Sequence, residues 1–282
     1  MRIAIHALLW TLLPAIASYG NVLTKTVDYN HGGTSFRGYL ACDGRLRAKH
    51  PGVIVVHESW GLNAFIRKKT RELAAQGYVA FAVDLFGEGR TARTPHEATR
   101  LTQEVRTADL MRERLQAGLA VLRNHPRVQE NKIAAVGFCL GARGVLELAF
   151  SGADIAGAVA FQGPLSVPRS AKLENMRARL LIFHGADDPH TNERKLRRLR
   201  DMLGRSDCDW QMVVYGNAAH GFSNPKTGTY NREGAAYNPQ VAQRSWRHTR
   251  TFLQDVFQSN FQQRGTEVSS KNGLSAALGD SF

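Results

Sequence analysis

Cysteine is scarce in this sequence, with only Cys42, Cys139 and Cys208 among 282 residues. An odd set without paired metal-ligand spacing argues against a zinc or iron–sulfur centre and against a disulfide framework. One bridge, Cys42–Cys208, is the most that could form while leaving Cys139 free. Long apolar runs are also missing. No stretch reaches the roughly 20 residues that a membrane-spanning helix needs. Acidic residues are in deficit, 24 against 37 Lys and Arg, for a formal charge of +13. Such a balance attracts anionic surfaces over a Debye length of roughly 10 Å. The basic residues, however, are spread along helical segments. In the stretch from Arg194 to Arg200, Leu196 and Leu199 form an inward stripe and the charges a solvated face, so no nucleic-acid partner is expected.

The two ends differ from the rest. Arg2 precedes an apolar run from Ala7 to Leu13, then Pro14 and the small-residue sequence Ala15-Ile16-Ala17, the layout of an export leader covering residues 1–17. From Gly265 to Phe282 the chain is rich in Ser and Gly and loses periodicity, which reads as a flexible tail. Residues 18–264 are long enough for one large domain and short for two.

Within that domain two apolar alternations, Lys25 to Asn30 and Thr34 to Ala41, flank a His-Gly-Gly turn and predict an antiparallel hairpin. The pattern then changes to short, continuous apolar runs at 52–57, 79–84, 132–138, 156–161, 180–184 and 211–215. Such runs suit strands buried on both faces of a mainly parallel sheet. Helical periodicity fills the gaps at 64–76, 95–122, 140–150, 193–203 and 240–257. The alternation predicts an α/β fold with one sheet of about eight strands flanked by helices. Reactive groups are then expected on loops at the carboxyl ends of strands.

The clearest chemical signal is Val136-Gly137-Phe138-Cys139-Leu140-Gly141-Ala142, between a predicted strand and a predicted helix. A nucleophile on so sharp a turn needs small residues two positions to either side, and Gly137 and Gly141 supply them. The helix start beside the sulfur suits an anion, and the Leu140 N–H points to where an oxyanion would form. The bland alternative is a buried structural cysteine in a glycine-containing turn.

An elbow of this kind calls for an acid and then a histidine, each after a later strand. The run from Leu180 to Pro189 ends in adjacent carboxylates, Asp187 and Asp188. Asp188 is the candidate acid and Asp187 the alternative, unless either merely caps the helix starting near Thr191 or Asn192. Beyond the next strand His220 lies among small residues and is the candidate base. The loop His57-Glu58-Ser59-Trp60-Gly61-Leu62 follows the strand expected near the sheet centre. Its Ser59 N–H is the candidate second oxyanion donor. Glu58 is out of place beside a thiolate unless it handles the thiol proton, or is only a helix-start acid.

Taken together, these motifs, with Gly38-Tyr39-Leu40, Gly77-Tyr78-Val79-Ala80 and Asp84-Leu85-Phe86-Gly87, resemble the dienelactone hydrolase family of the α/β-hydrolase superfamily, from about Val27 to Phe257. The resemblance implies an α/β-hydrolase fold, Cys139 as nucleophile and an Asp188–His220 pair. It also implies that Glu58 interacts with the thiol, and that neither metal nor cofactor is needed. It does not carry over the substrate. Members that cleave dienelactone hold its carboxylate with two arginines, and the matching positions here are Glu88 and Asn224, leaving Arg90 and Arg143 as candidates to replace them. Hydrolysis of small esters or lactones through a thioester is the expectation, against the alternative of a non-catalytic exported binding protein on the same fold.

Overall fold

The computed structural model describes residues 20–165, 173–230 and 233–258. The leader read at 1–17 and the tail read at 265–282 lie outside them. An eight-stranded sheet runs in the order β1-β2-β4-β3-β5-β6-β7-β8. Strands β1 (Val22–His31) and β2 (Thr34–Asp43) pair antiparallel from Val22↔Asp43 to His31↔Thr34. The two central turn residues, Gly32 and Gly33, have φ of 55° and 75°, left-handed values that a two-residue hairpin requires and glycine adopts without strain.

Strand β2 lies antiparallel to β4 (Val79–Val83), and every later pairing is parallel. Strands β3 (His50–Val56), β5 (Val128–Phe138), β6 (Gly157–Phe161) and β7 (Arg179–Gly185) carry the continuous apolar runs. Strand β8 (Trp210–Tyr215) closes the sheet. Val53 and Val55 face one core layer, Ile54 and Val56 the other, so the central strand is buried on both sides.

Helices cover both faces. On one side α1 (Ala64–Ala74) and α6 (Pro239–Gln258) bury Leu73, Phe252 and Leu253. On the other, α2 (Pro95–Glu104), α3 (Ala108–Arg123), α4 (Leu140–Phe150) and α5 (Glu193–Leu203) bury Leu101, Leu115, Val145 and Leu199. Among the described residues no helix is long and apolar enough to cross a membrane.

The expected single helix over 95–122 is two helices. Thr107 adopts extended backbone and its hydroxyl accepts the Leu110 N–H, starting α3 afresh after α2 has ended near Val105. Helix α5 is capped by Asn192, whose side chain accepts the Lys195 N–H, so neither aspartate serves as its cap. All three cysteines are free. The Cys42–Cys208 bridge is excluded by topology: Cys42 is on β2 and Cys208 precedes β8, six strand spacings or roughly 25–30 Å away.

The chain leaves β3 for β4 on one side and returns to β5 on the other. In an open α/β sheet that reversal opens a crevice beyond the carboxyl ends of the two strands, which here carry the 57–62 loop and Cys139.

Candidate active site

Cys139 follows β5 directly and stands at the start of α4 with φ 50° and ψ −107°, a conformation that costs a non-glycine residue strain. Close packing holds it there. A Cβ on Gly137 would lie 2.1 Å from the Gly141 carbonyl oxygen, and one on Gly141 2.2 Å from that of Val56. Only hydrogen fits at either position, and the Cys139 N–H is tied to Phe161 O at 3.0 Å. The sulfur therefore stands at the mouth of the crevice.

His220 brings Nε2 to 3.1 Å from Cys139 Sγ and Nδ1 to 2.8 Å from Asp188 Oδ2. Asp188 also accepts the His190 N–H at 2.9 Å through its other oxygen. Asp188 is buried and its neighbour Asp187 is exposed, so of the two it is Asp188 that faces the histidine. Burial alone would raise the Asp188 pKa, but the hydrogen bond and charge of His220 outweigh it and the net shift is downward. Burial would likewise lower that of His220. The charge of the sulfur, with hydrogen bonds to Asp188 and to the sulfur, instead raises it to about 10. The arrangement can pass a proton between a thiol and an imidazole.

The 57–62 loop forms the opposite wall. His57 is fully buried and spans two loops: Nδ1 lies 2.6 Å from Glu58 O and Nε2 accepts the Leu85 N–H at 3.1 Å. Since Nε2 accepts, Nδ1 carries the proton and donates, and burial lowers the pKa so that the ring stays neutral. Asp84 ties the adjacent loop by accepting the N–H groups of Arg37, Phe86, Gly87 and Gly89. Ser59 is buried with Oγ 3.9 Å from the sulfur, and Leu140 opens α4, where first-turn N–H groups lack helical partners.

Glu58 is buried, and its Oε2 accepts Asn224 Nδ2 at 2.7 Å. Burial pushes its pKa up to about 7, against the Asn224 hydrogen bond and the His220 charge. The sulfur's close partner is thus His220, while Glu58 is held by an amide. Glu88 is exposed. Arg90 is engaged by the Phe86 and Gly87 carbonyls and by Glu104, and Arg143 lies 3.9 Å from Glu147. Among the described residues neither arginine lines the cavity over Cys139.

That cavity holds about 20 Å³, room for one water, between Glu58, Cys139, His220 and a roof of Trp60 stacked on Tyr230. The two rings are 3.8 Å apart and 18° from parallel. Tyr230 ends the 3-10 turn Thr227–Tyr230, and its phenol pKa is raised by burial and by the charge of Glu58. Sequence reasoning does not reach this roof. Trp60 belongs to the 57–62 loop motif, but nothing local announces Tyr230.

A cysteine-bearing elbow at the switch point of an eight-stranded sheet, with a histidine and a buried aspartate on the following loops, defines an α/β-hydrolase-type architecture. A model of the Dienelactone hydrolase family matches residues 36–257, and the chain belongs to that family. "Protein usf" of Aquifex pyrophilus is 28% identical over 241 residues, 82% of this chain and 98% of its own length. Among solved structures, a dienelactone hydrolase-like promiscuous phosphotriesterase, P91, from metagenomic libraries is 32% identical with a TM-score of 0.82, covering 84% of this chain and 100% of that one. Another, named m3DLH, is 34% identical with a TM-score of 0.80 over the same shares.

Proposed function

We propose that the protein hydrolyses small carboxylic esters and lactones by covalent catalysis on Cys139. The observation carrying this reading is the continuous line from Cys139 Sγ through His220 to Asp188, with contacts of 3.1 and 2.8 Å. The sulfur attacks the acyl carbon, and the Ser59 and Leu140 N–H groups receive the oxyanion. Collapse breaks the bond to the alcohol oxygen, which takes the His220 proton, and leaves a thioester. Water, deprotonated by His220, then attacks the thioester and releases the acid and the free sulfur. Brief incubation with 4-nitrophenyl acetate should place an acetyl group on Cys139, seen by peptide mass spectrometry, and Cys139→Ala should abolish turnover while the protein stays folded. Full activity in that variant would overturn the mechanism.

A second substrate class, neutral phosphotriesters, is favoured by the 32% identical phosphotriesterase neighbour. The same sulfur would take the phosphoryl group, so diethyl 4-nitrophenyl phosphate should release nitrophenol with wild type and not with Cys139→Ala. Export is part of the proposal as well. Residues 1–17 would be removed to leave a chain starting near Ser18, which N-terminal sequencing of protein from the native host would reveal. The basic surface would then hold it electrostatically at an anionic envelope, released by salt.

A further inference from the structure

A second and much larger cavity, about 510 Å³, lies between α1 and α6, with the loop at Ser223–Pro225 closing one end. Its volume falls within the range of small-molecule sites, and none of its lining residues is shared with the cavity over Cys139. Phe65 and Trp246 supply an aromatic floor. Lys69, only 14% exposed, places Nζ 4.0 Å from the Trp246 ring centre and 2.8 Å from Glu72 Oε2. Lys68 reaches the same carboxylate at 4.0 Å, and Arg250 stands on the facing helix.

Among the described residues three cations line this groove beside one carboxylate, a surplus of positive charge. Burial lowers the Lys69 pKa, Glu72 opposes that through its charge and its hydrogen bond, and Lys68 and Arg250 add smaller lowering effects. An anion would relieve that surplus, and the aromatic floor asks for an apolar body attached to it.

We propose that this groove binds a small amphipathic carboxylate, its apolar chain on Phe65 and Trp246 and its head group among Lys68, Lys69 and Arg250. Carboxylates are the acids that ester hydrolysis releases, and on the hydrolytic reading the groove is a product-sensing site. The link is structural. Ser223 and Pro225 line the groove, while Asn224 between them turns inward to Glu58. Ser223 N–H is bonded to Gln162 Oε1, and His220 lies three residues upstream. An occupant stiffens the segment that holds both His220 and the Glu58 partner.

The test is calorimetric titration of full-length protein with octanoate, beside octanamide as the uncharged control, so that binding is read independently of turnover. Octanoate should bind saturably and roughly tenfold more tightly than octanamide, and the double variant Lys68→Glu with Arg250→Glu should lose roughly tenfold. Trp246 emission should shift on octanoate binding, and Trp246→Phe should remove that change. Cys139→Ala should bind octanoate as wild type does, which separates this site from the catalytic one. Equal affinity for octanamide, indifference to charge reversal, or competition confined to the Cys139 pocket would overturn the proposal. So would a sedimentation result showing the groove closed in a dimer that the double variant dissolves.

Discussion

The side-chain amide of Asn224 donates to Glu58 Oε2 at 2.7 Å, and both residues are buried. A neutral amide satisfies one carboxyl oxygen without supplying a countercharge, so the charged form of Glu58 is poorly compensated. That is why its pKa stands at about 7 and not in the usual carboxylate range. Between about pH 4.5 and 7 the folded state then holds a proton that the unfolded state has lost. Stability attributable to Glu58 must fall as pH rises through this window and level off above it, by roughly 3 kcal/mol at most. Glu58→Gln keeps an acceptor for Asn224 and removes the titration. Urea denaturation at pH 4.5 and 8 should show wild type losing stability relative to the variant, and parallel curves would contradict the assignment.

The adjacent aspartates give a paired test. Asp188 is buried against His220, whereas Asp187 faces solvent. Asp188→Asn should lower kcat for an activated ester by roughly two or more orders of magnitude, through loss of imidazole orientation. Asp187→Asn should leave it within about twofold, since an exposed carboxylate contributes little here. Steady-state kinetics on both variants decides it, and the reverse ranking would move the role to Asp187.

Much of the sheet was legible because buried parallel strands advertise themselves as continuous apolar runs, as from Val79 to Val83. The start of β5 was not, because Gln129 to Lys132 are polar and partly exposed while their backbone already continues the strand begun at Val128. The break between α2 and α3 is hidden for a related reason. Leu101, Val105, Met111 and Leu115 all bury into one layer, so the apolar period runs through a point where the backbone stops being helical. Cys139, Asp188 and His220 could be found because each follows a strand. Tyr230 could not, because it meets Trp60 across 170 residues and only the folded chain brings the rings together.

Gly137 offers a test of the elbow's packing that does not depend on turnover. A methyl group there would stand 2.1 Å from a backbone oxygen and 2.8 Å from a backbone nitrogen, neither able to yield as a side chain does. Gly137→Ala should cost about 3 kcal/mol or more, or prevent folding. Gly216 is the control, because a methyl group there would meet nothing within 4 Å. Gly216→Ala should change stability by less than about 1 kcal/mol in either direction. Chemical denaturation of the pair measures the difference.

The stacked pair over the sulfur sets what can enter. With Trp60 and Tyr230 3.8 Å apart and about 20 Å³ beneath them, a bulky acyl group must displace the tyrosine ring. Tyr230→Ala removes that ring along with its hydroxyl. Tyr230→Phe removes only the hydroxyl. If the ring is the barrier, kcat/KM for a naphthoate ester relative to the acetate ester of the same alcohol should rise about tenfold in the alanine variant and change little in the phenylalanine variant. If both variants shift selectivity equally, the hydroxyl and not the ring controls access. If neither shifts, the acyl group enters by another side of the cavity.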